Sequence, residues 1–449
     1  MGIIHRYEPI KKVNRFLNQK DLKTLIVVLV IEFVIYLLVD FKGYGSEFFP
    51  VTLLLMALTA AGSGIAAYYH ADRYLLVIVL LLMNIGFAVQ VIEHGAEIKT
   101  VEFCSKFFVA ILVALSTAFF YHLAAERLAY DSTIKGLMVL QIAICAVMTI
   151  LGKRVGDGQA QGAVILLAGM TPFELVKIIY PFIAAGLIGE DYCENIWIFE
   201  IKMKREMMLL LHTVLLIPFF VICNEFGTLL VILFTFSMMM WAYGENRKLI
   251  RWMLGVSTFV FLLFWILCDR IFYPQILSGD LQVSGALQKL IERFGCALHP
   301  EKFMSGGGYQ GCLSLEAIAI GGILGMDAEW YRLPLPESST DFVFGNVVQT
   351  CGFFMGLIVI LFFFGLIKRG MVISENGRSG YFRSLSMAIT LVIGIEAIIH
   401  IGHNLAIFPI TGIPLYFVSQ GFTAIVTGVM AVTILLVLST DIFKKRYEV

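Results

Sequence analysis

Charge is scarce in this chain. Only 15% of its 449 residues are Asp, Glu, Lys or Arg, where an ordinary soluble domain has about a quarter. The formal net charge is zero, which excludes the basic footprint that holds a nucleic acid. Internal repeats and low-complexity tracts are absent, so no solenoid and no disordered linker is expected. Metal-binding cysteine spacing is also missing: the eight cysteines form no CxxC and no Cys/His set. Cys104, Cys145, Cys193, Cys223, Cys268 and Cys351 lie in or near apolar segments, where a thiol behaves as a small hydrophobe. Cys296 and Cys312 lie together in a long loop, and could pair if it faces an oxidising compartment. The first apolar run follows a polar, basic segment and is not followed by a small-residue cleavage site, so it reads as a retained span and not as a cleaved leader.

What the chain has instead is apolar length. Hydrophobic residues make up 59%, in runs at about 23–40, 49–69, 73–93, 105–124, 135–151, 174–189, 207–223, 226–242, 252–273, 343–367, 385–407 and 413–439. Each is long enough, or nearly so, to cross the bilayer's hydrocarbon layer as a helix. Backbone polar groups in lipid must be satisfied within the segment, so the runs predict an all-α, polytopic transmembrane bundle of about twelve helices. The shorter stretch 160–172 reads as a re-entrant or interfacial piece. With the N-terminus inside, alternate loops carry 22 of the 33 Lys and Arg residues, as the positive-inside bias requires. This reading puts both termini in the cytoplasm and turns the long loop 274–342 outward. Such a loop between tight helices is a usual place for function.

Within that loop, Gly306-Gly-Gly308-Tyr309-Gln310 offers a hinge or a close backbone approach to a ligand, or simply part of a cap over the bundle. An apolar helix is expected near 311–320. A second feature is Lys177, inside an apolar run next to Glu174. A lysine there is costly and reads as functional, or alternatively as snorkelling or as paired with Glu174 or Glu225.

Five segments, in order, resemble the SEDS family, the shape, elongation, division and sporulation proteins such as FtsW, RodA and SpoVE. Pro336-Glu337-Ser-Ser-Thr340-Asp341-Phe342-Val-Phe344 is similar to the family's Pro-Glu-x-x-Thr-Asp-Phe-Ile-Phe. Gly308-Tyr309-Gln310 with Ser314 resembles Gly-Tyr-Gln-x-x-Gln-Ser. Thr171-Pro172-Phe173-Glu174-Leu175-Val176-Lys177 resembles Gln-Pro-Ser-Glu-Leu-x-Lys, and Glu225-Phe226-Gly227-Thr228 resembles Asp-Leu-Gly-Thr. Asn404 with Pro409, Gly412, Pro414, Ser419 and Gly421 follows the C-terminal family segment. The resemblance runs from about residue 72 to 440. It implies a ten-helix core over 72–449, preceded by a basic N-terminus and two extra helices over 1–71.

The resemblance further implies a bacterial cytoplasmic-membrane protein of peptidoglycan assembly. Such a protein would act on lipid II or another undecaprenyl-linked substrate beside a class B penicillin-binding protein. Glycosyl transfer needs a base for the acceptor hydroxyl, and positive charge, from a side chain or a divalent cation, for the departing pyrophosphate. By this reading Lys177, Glu174, Glu225, Arg293, Tyr309, Gln310, Asp341 and Asn404 are candidate substrate-binding residues. Asp341 is equally a helix N-cap, and Asn404 equally a bond between helices. The family's catalytic Asp position, six residues before Tyr309, is Phe303 here, which accepts no proton. Glu301 is the candidate replacement base, with His299 nearby. Other family marks are absent: Gln161-Gly162-Ala163 lacks the following Arg and Trp, Leu313 stands for Gln, and Gln349 and Thr350 stand for an acidic pair. Three readings follow: a divergent glycosyltransferase, a catalytically inactive scaffold for the transpeptidase, or a transporter of lipid-linked precursor.

Overall fold

The computed structural model describes residues 19–94, 100–151, 153–154, 164–165, 172–189, 195–198, 201–245, 247–272, 274–275, 297, 299, 309–326 and 332–444. Every apolar run in the sequence finds a helix. They are α1 Gln19–Phe41, α2 Gly45–Tyr68, α3 Arg73–His94, α4 Thr100–Leu128, α5 Asp131–Leu151, α6 Phe173–Ile188, α7 Arg205–Ile222, α8 Phe226–Tyr243 and α9 Arg247–Leu267. After the long loop come α11 Val343–Glu375, α12 Gly380–Asn404 and α13 Phe422–Leu438, while α10, Tyr309–Gly321, lies within that loop where the sequence predicts a helix. Among the described residues nine helices are long and apolar enough to cross a membrane. The chain is a polytopic helical membrane protein.

Of the stretch 160–172, expected to be re-entrant or interfacial, Val164–Ile165 form a short strand pairing antiparallel with Lys153–Arg154, and the rest, save Pro172, lies outside the described residues. One expectation needs correction. The last span was expected from 413, yet α13 begins at Phe422. The reason is local. Pro409 and Pro414 lack a donor N–H and hold the residues before them out of the α region, and Gly412 sits at φ +66°. Residues 405–421 therefore fold as an irregular segment packed among the helices.

Two cores lie side by side. One joins α3, α11, α12 and α13 through Leu82, Val347, Leu366, Leu385 and Leu435, and takes in Ile35 and Val39 of α1 and Phe48, Val51 and Leu55 of α2. The other is built by α5 to α8 around Tyr180, Leu209, Leu216 and Met239, with Ala388 of α12. α6 and α12 contribute to both.

α11 is broken at Gly352, which stands at φ 85° and ψ 174°. A break at membrane depth frees backbone groups that must find partners. Here the turn after α10 supplies them: Phe353 N donates to Gly322 O at 2.8 Å, and Met326 N donates to Gln349 O at 3.0 Å. A Cβ at position 352 would lie 2.3 Å from Ile323 O, so the close approach requires glycine.

Candidate functional site

α6 has 16 residues and spans roughly 24 Å at 1.5 Å per residue, short of a full crossing. It starts just after Pro172, a residue suited to a helix entrance. Its first turns place Glu174 and Lys177 three positions apart, on one face. Lys177 Nζ lies 2.7 Å from Glu174 and also pairs with Glu396 of α12. All three side chains are buried. Thr427 of α13 donates to Glu174 Oε2 at 3.3 Å, and Tyr416, from the irregular segment, donates to the same atom at 3.4 Å. Lys177 Nζ also stands 5.7 Å from the Tyr416 ring centroid, within cation–π range. One ammonium thus ties together α6, α12, α13 and the 405–421 segment.

Of the two partners the sequence suggests for Lys177, Glu174 is found and Glu225 is not. Glu225 stands at the head of α8, where Thr228 donates to it at 3.4 Å. The second carboxylate is Glu396, which sequence reading missed. Its signal was present: an acidic residue in the middle of an apolar run is costly and rarely idle.

Helical periodicity carries the polar face of α12 from Glu396 through His400 and His403 to Asn404. Asn404 lies about 12 Å further along the helix at 1.5 Å per residue. His400 Nδ1 donates to Ile413 O at 2.7 Å. His403 Nε2 donates to Asp341 O at 2.7 Å, and Thr411 Oγ1 lies 3.3 Å from its Nδ1. A carbonyl only accepts, so His403 carries a proton on Nε2. Asn404 bonds across elements: its Oδ1 accepts from Gly345 N at 2.9 Å and Ser314 Oγ at 3.3 Å, and its Nδ2 donates to Asp341 O at 3.1 Å. The position preceding α11 is Phe342, which makes no side-chain cap bond, and the backbone carbonyl of Asp341 accepts from both His403 and Asn404.

At the start of α10, Tyr309 is exposed and Gln310 half-buried. Leu313 and Ala317 pack that helix on Leu335 and Phe342. Arg332 donates to Asn346 Oδ1 at 2.6 Å and to Thr350 at 3.0 Å, with Glu93 of α3 at 3.9 Å. This second polar knot, which sequence reading also missed, fixes the loop's return to α11. His299 lies 2.9 Å from Asp269, at the end of α9. Glu301, Arg293, Phe303 and Cys296 lie outside the described residues. Among the described residues no three His, Cys, Asp or Glu side chains form a metal-holding group, and no step is derived through a cation.

The comparisons with known proteins agree with the fold. The family model described as cell cycle protein (FtsW, RodA, SpoVE) matches residues 72–443. Stage V sporulation protein E of Bacillus subtilis is 27% identical over 377 residues, 81% of this chain and 96% of that protein. A probable peptidoglycan glycosyltransferase FtsW of Bacillus subtilis is 24% identical over 310 residues, 67% of this chain and 72% of its own. Among solved structures, a chain of a peptidoglycan synthase complex matches with TM-score 0.60 at 18% identity, over 82% of this chain and 97% of that one. The rod shape determining protein RodA of Thermus thermophilus matches with TM-score 0.55 at 16% identity, covering 82% and 96%. This chain belongs to the FtsW/RodA/SpoVE family of cell cycle proteins.

Proposed function

We propose that this protein is a divergent, glycosyltransferase-type member of the family. It would work in peptidoglycan assembly at the bacterial cytoplasmic membrane, with both termini inside and the 274–342 loop outside. The observation that carries the reading is the buried polar seam from Lys177 to Asp341, which underlies the loop bearing Tyr309 and Gln310. The substrate is a lipid-linked, pyrophosphate-bearing saccharide such as lipid II, and the partner is a class B penicillin-binding protein.

In this proposal Lys177 is a positioning residue. Its charge is engaged by two carboxylates, so it holds the irregular segment and three helices in register and leaves little positive charge for a pyrophosphate. Positive charge for the leaving group then falls to Arg293, and Tyr309, Gln310 and Asp341 border the acceptor. Glu301 or His299 takes the proton from the acceptor hydroxyl. His299 has the arrangement general bases commonly use, an imidazole beside an orienting carboxylate, here Asp269.

One observation favours a second reading, a scaffold without chemistry: Phe303 stands at the position where the family resemblance implies an acid. Purified full-length protein, its cognate transpeptidase and labelled lipid II decide between them. Glycan polymer from the wild type, cut at least 100-fold by Glu301→Ala or His299→Ala, is the expected result. No polymer with the transpeptidase still bound supports the scaffold. Labelled lipid crossing liposome membranes without polymer supports a transporter and rejects both.

A further inference from the structure

A cavity of about 250 Å³ opens beside the start of α3, the second half of α11 and the end of α13, apart from the seam. It is lined by Asp72, Arg73 and Tyr74 at the start of α3, Arg369 of α11, Ser439 after α13, and Lys444. Three cations and one carboxylate thus face a single hollow whose remaining wall is partly apolar, from Val372, Ile373 and Leu438. Its cationic wall is also partly built. Arg369 Nε donates to Asp72 Oδ2 at 2.9 Å, and its Nη2 pairs with the same oxygen. The guanidinium carbon sits 5.3 Å from the Tyr74 ring centroid. Asp72 itself is fixed, accepting from Leu75 N at 3.0 Å while its own N donates to Ser439 Oγ at 2.8 Å. Lys444 donates to His70 O at 3.0 Å and lies 3.5 Å from Asp441. Arg369 keeps its Nη1 hydrogens for a further acceptor.

We propose that this cavity binds a phosphate-bearing anion at the membrane surface, presented as the headgroup of an anionic phospholipid. The inference is independent of the peptidoglycan reading. The volume suits a headgroup and not a whole ligand of drug size. Basic pockets between helices on the inner face are where anionic headgroups dock. Tyr74, 55% exposed, has the amphipathic ring that settles at the lipid–water boundary. A phosphate here would bridge the first residues of the family core to the last, since α3, α11 and the end of the chain all border the hollow.

The test uses the full-length protein in nanodiscs of phosphatidylcholine alone or with phosphatidylglycerol. Retained lipid is counted by native mass spectrometry, and the thermal midpoint is recorded beside it. Wild type should retain phosphatidylglycerol over phosphatidylcholine at least tenfold. Lys444→Gln and Arg73→Gln, which spare the Arg369–Asp72 pair, should each lower that preference about fivefold. Arg247→Gln, on the same face but outside the cavity, should leave it unchanged. Millimolar inorganic phosphate in phosphatidylcholine discs distinguishes the source. A midpoint rise matching that of the lipid means a free anion fills the site; no rise means the headgroup does. Absence of any phosphatidylglycerol preference, or an equal loss in Arg247→Gln, overturns the proposal, because attraction would then be diffuse surface charge.

Discussion

At the scale of single residues, the most exacting contact is Lys177 between Glu174 and Glu396. Removing one partner of a buried ion pair leaves charge uncompensated and costs about 3–5 kcal/mol, while removing a balanced pair costs much less. Lys177→Met should therefore lose about 3–5 kcal/mol of stability, read as a lower unfolding midpoint and loss of monodispersity in detergent. Lys177→Met with Glu396→Leu should recover a good part of it, because Glu174 keeps Thr427 and Tyr416. Equal losses in the single and double variants would refute the coupling. Half of this contact was legible. Glu174 and Lys177 are three apart on one helix, so helix geometry alone joins them. Glu396 is 219 positions away from Lys177, and no spacing rule spans such a distance; only packing brings it in. Asp341 shows a different limit: its backbone carbonyl, a group every residue carries, anchors His403 and Asn404, and no side-chain type announces that.

Among elements, the broken helix α11 is the feature most sensitive to a single atom. Gly352 occupies a region of backbone space essentially reserved for glycine, costing other residues about 1–3 kcal/mol. The added Cβ would also press on the Ile323 carbonyl. Gly352→Ala should unseat the turn after α10, lowering the thermal midpoint and increasing proteolysis within 309–342. Gly136→Ala on α5, where nothing lies within 4 Å of the added carbon, should be neutral or slightly stabilising, as alanine favours helix. If the two variants behave alike, the break has no structural importance. Helix existence was readable from apolar length because lipid demands it. The break was not readable: Gly352 is one of several glycines in its run, with Gly345, Gly356 and Gly365, and glycine is common in membrane helices without breaking them. The displaced start of α13 was readable in principle, from Pro409, Gly412 and Pro414, which apolarity outweighed.

For the whole molecule, the two helices preceding residue 72 are the open structural question. They belong to the core by packing: Val39, Phe48 and Leu55 are fully buried, and Lys42 at the end of α1 donates to Met326 O at 2.8 Å. A chain beginning at residue 72 should consequently aggregate or elute as a broad peak on gel filtration. A sharp monomeric peak would show α1 and α2 to be a detachable accessory. The buried cluster around Lys177 has a consequence in time as well as in space. At about 5–20 residues per second, Glu396 leaves the ribosome roughly 10–45 s after Lys177. During that interval α6 already carries its own counter-charge in Glu174 and can rest in lipid as a neutral pair. α12 has no such companion within its own sequence neighbourhood, so its acid is accommodated only by an ammonium put in place long before. The Lys177–Glu396 contact therefore forms late in synthesis, made by a helix that depends on the earlier one for its entry.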